Sequence, residues 1–145
     1  MNPEPVTRSE SQPPAVTRIE LDFPGGKRVD ARVGGHVIST DQPPQFGGEG
    51  AAPAPFDLFL ASIATCAGVY ALGFCHARDL STEGLKITQE VIEDPGSKLP
   101  AEIRFVVRVP AGFPEKYRAG LLRSIESCKV KKTIAHQPAF SVELA

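Results

Sequence analysis

Apolar and polar positions alternate along the first forty residues. Ile19, Leu21 and Phe23 point one way and Arg18, Glu20 and Asp22 the other. That period of two predicts a half-buried strand from Ala15 to Phe23. Pro24-Gly25-Gly26 signals a turn, and Val29, Ala31 and Val33 alternate with Arg28, Asp30 and Arg32 beyond it. Gly34-Gly35 permits a second turn into a third strand over His36–Thr40, so the segment predicts an antiparallel meander. Residues 41 to 55 are rich in Pro, Gly and Gln and lack a period. They predict a long loop, of the kind that often carries function or a partner contact.

The pattern then changes. Pro55 suits a first helical turn, and Asp57 places negative charge where the helix dipole favours it. Eighteen uncharged residues follow, Leu58 to Cys75. That length nearly spans a bilayer. The flanking amphipathic strands argue instead for a soluble core helix, because their apolar faces need a core to bury them. A short chain cannot hide such a helix on every side, so a homodimer built around it is expected. Leu85, Ile87, Gln89 and Val91, then Ile103, Phe105, Val107 and Val109, predict two more strands joined through Asp94-Pro95-Gly96-Ser97. Tyr117, Leu121, Leu122 and Ile125 follow helical spacing after Phe113-Pro114-Glu115. Val130 and Ile134 suggest a short further helix, and Phe140, Val142 and Leu144 a final strand. Segregated blocks of strand and helix favour an α+β fold over a doubly wound one. The expected organisation is a flexible tail over residues 1–14 and a single domain over 15–145.

Composition narrows the functions. Among 145 residues 23% are charged and the net charge is -1, with no clustered basic excess. Neither a nucleic-acid surface nor a membrane partner is expected. Lys129, Lys131 and Lys132 are too few to claim a phosphate site and read first as a solvated helix face. The three cysteines include no Cys-x-x-Cys pair, and Cys75-His76, His36 and His136 match no ligand spacing, so no metal and no cofactor is expected. No Gly-x-Ser-x-Gly elbow surrounds Ser39 or Ser62. The N-terminus lacks the basic start and apolar run of a secretory signal, and a cytoplasmic protein with reduced thiols is expected.

The cysteines carry the chemistry. Cys66 and Cys75 lie nine residues apart on one helix and point about 180° apart, so they cannot bond to each other. Cys66 shares its face with Phe59, Ile63 and Tyr70. Cys75 reads as a small buried hydrophobe. Cys128 sits at a helix junction beside Lys129, Lys131 and Lys132, where positive charge or a helix start favours a thiolate.

Gly47-Gly48-Glu49-Gly50, Pro55-Phe56-Asp57-Leu58-Phe59-Leu60-Ala61-Ser62 and Ala64-Thr65-Cys66 resemble the central motif of the OsmC/Ohr family. Cys128-Lys129-Val130 with Thr133-Ile134 resembles its second motif. The resemblance covers nearly the whole chain beyond Ala15. It implies an OsmC-like α+β homodimer, intertwined, with antiparallel sheets around a long buried helix and active sites at the subunit interface. It implies that Cys66 attacks a peroxide and becomes a sulfenic acid, that Cys128 resolves it as a disulfide, and that a dithiol reductant restores the pair. It also implies a thiolate-supporting arginine from the N-terminal sheet. Arg32 matches best and Arg28 second, though each is equally a solvated strand residue. Hydroperoxide reductases of the family place a glutamate directly after the loop proline, where this chain has Phe56. Asp57 follows but points away from Cys66. A dimeric module that binds a small apolar ligand without peroxidase activity is therefore the alternative. Tyr70 and Phe59 either line an apolar pocket or pack in the core.

Overall fold

The computed structural model describes residues 13–145. The tail expected over residues 1–14 therefore lies outside the described residues except for Pro13 and Pro14. The chain divides into two compact units, meeting at Pro55–Phe56. The first holds a three-stranded sheet and a loop. The second holds three helices and a two-stranded sheet.

In the first unit, β1 (Glu20–Gly25), β2 (Arg28–Val33) and β3 (His36–Thr40) form an antiparallel meander in the order β1-β2-β3. Gly34 and Gly35, at φ of 54° and 79°, make the second turn. Two consecutive left-handed residues match the twist of the flanking strands, and glycine adopts that conformation without a Cβ clash. Two boundaries differ from expectation. β1 starts at Glu20 rather than Ala15, because Glu20 already pairs with Arg32 near the end of β2 and earlier residues face no partner. The first turn is Gly26-Lys27, one residue later than expected. β1 runs through Pro24 with an irregular register between Asp22 and Gly25, which an edge strand tolerates because proline's missing N–H breaks no ladder.

The loop after β3 is not structureless. A single 3-10 turn spans Pro44–Phe46. Asp41 is buried, and its carboxylate accepts from the N–H groups of Gln42 (2.8 Å), Glu49 (3.2 Å) and Ala51 (3.0 Å). These donors hold the carboxyl below its usual value, the Ala51 N–H most strongly, against the opposing effect of burial. Gly48 closes the loop against the Gln42 carbonyl, where an added Cβ would sit 1.8 Å from the oxygen.

In the second unit, α1 (Pro55–His76) is long and apolar enough to cross a membrane by length and composition. Its buried stripe is Ile63, Ala67, Ala71 and Cys75, one residue per turn. Small residues in that stripe let other elements approach closely. Asp79, at φ 52°, turns the chain out of α1, and the Leu80 N–H returns to the Cys75 carbonyl. β4 (Lys86–Glu93) and β5 (Pro100–Arg108) pair antiparallel, with Ile87 opposite Val107 and Gln89 opposite Phe105. The turn between them is held by Asp94, which accepts from the Gly96 and Ser97 N–H groups. α2 (Glu115–Glu126) buries Leu121 and Ile125 against the α1 stripe and Phe113. Gly120 is needed there, since a Cβ would come within 2.9 Å of the Phe74 ring. Ser124 donates to the Tyr70 carbonyl at 3.0 Å and Gln89 to the Leu60 carbonyl at 3.1 Å. These bonds fix α1 against α2 and β4.

α3 (Lys129–His136) follows at once, with Cys128 as its N-cap residue. The expected final strand is absent. Phe140, Val142 and Leu144 are almost wholly exposed, and residues 138–145 form no strand pairing among the described residues. A strand exists only where an edge accepts its hydrogen bonds, and the alternating pattern alone cannot supply one.

Candidate active site

Cys66 sits in the middle of α1, partly buried, on the flank between the core stripe and the exposed face. Its sulfur faces the start of α3. The Val130 and Lys129 backbone N–H groups and the Cys128 thiol lie close enough to it to favour its ionised form. The Val130 N–H has the largest effect, and together with the Lys129 charge these donors hold the Cys66 thiol below its ordinary value of 9.0. Burial acts in the opposite direction and loses. Two cysteines far apart in sequence therefore meet, one polarised and one beside it as a free, buried thiol. A polarised thiolate is the nucleophilic form of cysteine, and a neighbouring thiol is what traps its oxidised product.

The helix start and lysine that the sequence offered to Cys128 are thus directed at Cys66. Sequence reasoning missed the donors, Val130 and Lys129, because a backbone N–H has no residue-type signature. The only trace was the position of Val130 in the first turn of a short helix. Cys75 is fully buried and its thiol is pushed up by desolvation, as suits an inert core residue.

A cleft of about 320 Å³ opens beside this site. Ile63, one turn before Cys66, forms part of its wall, with Ile103 and Phe105 of β5 and Lys131 and Ile134 of α3. The Lys131 ammonium lies 4.6 Å from the Phe105 ring centroid. Phe59 and Tyr70 do not line it. Phe59 is exposed and stacks on Phe56 at 5.7 Å, and Tyr70 is half-buried. Among the described residues no three His, Cys, Asp or Glu side chains converge as metal ligands.

The family model for OsmC-like protein matches residues 48–143. The chain belongs to the OsmC-like family. No curated protein matches it. Three solved structures share the fold of this OsmC-like chain. An osmotic stress induced and detoxification response protein from Psychrobacter arcticus 273-4 is 19% identical, with a TM-score of 0.68 over 83% of this chain and 89% of that one. An organic hydroperoxide resistance protein OsmC from Legionella pneumophila, a predicted redox protein and regulator of sulfide bond formation, is 20% identical, with a TM-score of 0.53 over 85% and 91%. A hypothetical protein from Aquifex aeolicus VF5 is 17% identical, with a TM-score of 0.60 over 85% and 89%.

The remaining candidates of this OsmC-like chain occupy plain positions. Arg32 lies on β2 in the first unit, and its guanidinium pairs with the exposed carboxylate of Asp22. Arg28, also on β2, acts electrostatically on Asp41. Asp57 is in the first turn of α1, as expected for a residue that complements the dipole.

Proposed function

We propose that this chain is a thiol-dependent reductase of organic hydroperoxides. The observation that carries the reading is the Cys66 sulfur, held toward thiolate by the α3 N–H groups with the Cys128 thiol against it. The Cys66 thiolate attacks one peroxide oxygen. The S–O bond forms, the O–O bond breaks, and the alkoxide leaves as alcohol after taking a proton. Cys128 then attacks the Cys66 sulfenic acid, a disulfide forms and water leaves. A dithiol returns two electrons and two protons. The family resemblance also implies a supporting cation, for which Arg32 is the candidate; its guanidinium pairs with the exposed carboxylate of Asp22, a pair worth little in water.

The working form is a homodimer in the cytoplasm. Support comes from apolar surface that one chain leaves open. Val69 and Leu72 on α1, and Leu21 and Phe23 on β1, are all exposed. A second copy packed on α1 makes that helix the buried centre of the assembly.

Peroxide consumption in the presence of a dithiol, compared between wild type and Cys66→Ser, tests the reading. Equal rates refute it. A second reading is a dimeric module for a small apolar ligand. It is favoured by the apolar cleft and by Phe56 at the position of the family glutamate. Peroxide titration followed by a count of free thiols separates the two. Loss of two thiols per chain, with Cys75 alkylated only after unfolding, supports the reductase; no loss supports the binding module.

A further inference from the structure

The lysines at the start of α3 are not alike. Lys129 and Lys132 are exposed. Lys131 is half-buried, and its ammonium lies 4.6 Å from the Phe105 ring centroid on the wall of the 320 Å³ cleft. Among the described residues no carboxylate pairs with it. A charge drawn out of water is ordinarily offset by a counterion. The face of an aromatic ring offsets part of that loss through its quadrupole. It offers no oxygen to the N–H donors of the ammonium, which are left for another acceptor.

The surrounding walls are apolar: Ile63 of α1, Ile103 and Phe105 of β5, and Ile134 of α3. Glu102 is the one acid among the lining residues. Strand alternation sends its side chain to the face of β5 opposite Ile103 and Phe105. That is the face on which Arg104 pairs with Glu90 of β4. The cleft is small for a ligand site, where volumes of roughly 300–1,000 Å³ are usual, so it suits a single slender tail. It also adjoins the reactive sulfur. Ile63 stands about one helical turn before Cys66, and Lys131 follows Val130, which lies against the Cys66 thiol.

An apolar cleft with one unpaired cation on its wall complements an apolar molecule that carries one anion. We propose that Lys131 is a specificity residue that receives a carboxylate, so that the cleft selects molecules with an apolar tail and a carboxylate over their neutral counterparts. On the proposed function, on which this rests for the substrate's reactive group, that molecule is an organic hydroperoxide bearing a carboxylate. A carboxylate oxygen accepts from the Lys131 ammonium while the tail covers Ile63, Ile103 and Ile134. A neutral ester with the same tail keeps the apolar contact and loses the ion pair.

Two measurements on the full chain test this. The first needs no peroxide: octanoate and octanol are titrated separately, and binding is followed by the NMR shifts of the Lys131 and Ile134 amides. The second compares kcat/KM, with a dithiol, for a carboxylated alkyl hydroperoxide and for its methyl ester. In wild type the acid is expected to be preferred about fivefold or more in both, the scale of one charged hydrogen bond partly open to water. The preference should fall toward one in Lys131→Gln and survive in Lys131→Arg. Each is a ratio within one protein, and the wild-type ratios decide if a variant fails to fold. Equal binding of octanoate and octanol, equal and measurable turnover of acid and ester, or a preference that persists in Lys131→Gln overturns the proposal. So does the absence of shifts with either probe, the result if a second copy fills the cleft. A binding preference that Lys131→Gln abolishes, in a protein that consumes no peroxide, upholds the role of Lys131 and removes the proposed function alone.

Discussion

Lys129→Pro is a selective way to weaken the polarisation of Cys66. Residue 129 is the first residue of α3, where proline fits best because its fixed φ is already helical. The preceding Cys128 is extended, at φ -51° and ψ 130°, which a residue before proline prefers. The substitution removes the Lys129 N–H and the Lys129 charge, both of which act on the Cys66 sulfur. Lys129→Gln removes the charge alone and keeps the N–H, so the difference between the two isolates the hydrogen bond. A hydrogen bond to a charged group contributes roughly 1.5–3 kcal/mol, and the low end applies because Cys66 is partly open to water. About 1.4 kcal/mol corresponds to a factor of ten in an equilibrium. The ionisation of Cys66 in Lys129→Pro should therefore be weaker than in Lys129→Gln, by up to about tenfold in its equilibrium constant. The lost charge is exposed and contributes about twofold or less. Alkylation rates understate the change, because a more basic thiolate is intrinsically more reactive and regains about a factor of three. The direct assay is ultraviolet absorbance of the thiolate against pH, with Cys66→Ser subtracted to remove the other cysteines. Identical Cys66 titrations for Lys129→Pro and Lys129→Gln would refute the role given to the α3 backbone.

Other expectations concern the rest of the molecule. Cys66 has a folded pKa below its ordinary value, so its ionisation stabilises the fold. That stability is complete above the unfolded value near 9.0 and fades as pH falls through the lower folded value. Thermal melts of wild type minus Cys66→Ser should thus show a difference that grows as pH rises toward 9 and is flat below the folded value. Asp41→Asn keeps one acceptor oxygen but sets an NH2 against backbone donors, and should lower the melting temperature by several degrees and raise exchange at Glu49 and Ala51; an unchanged melt would show that the loop holds itself. Leu121→Ala should cost about 2–5 kcal/mol in chemical denaturation, since Leu121 is fully buried against α1. Val69→Glu, on the exposed face of α1, should shift the protein from dimer to monomer in analytical ultracentrifugation; a wild-type monomer would end the dimer proposal.

Much of this molecule was legible in the residue pattern, because periodicity reports which faces are buried. The two hairpins, the long helix opened by Pro55 and Asp57, the β4–β5 pair and the helices on either side of Cys128 all follow from it. The character of the cysteines was only half legible. That Cys75 is a buried hydrophobe follows from its place on an apolar helix. That Cys66 is the polarised sulfur does not, because its donors are backbone N–H groups that any residue carries. Their direction depends on how α3 docks against α1, which is a tertiary fact. The same holds for Asp41, whose role arises only when Gln42, Glu49 and Ala51 fold back around it. Phe140, Val142 and Leu144 show the converse limit: alternation records that a strand could be built, and only a neighbouring edge decides that it is.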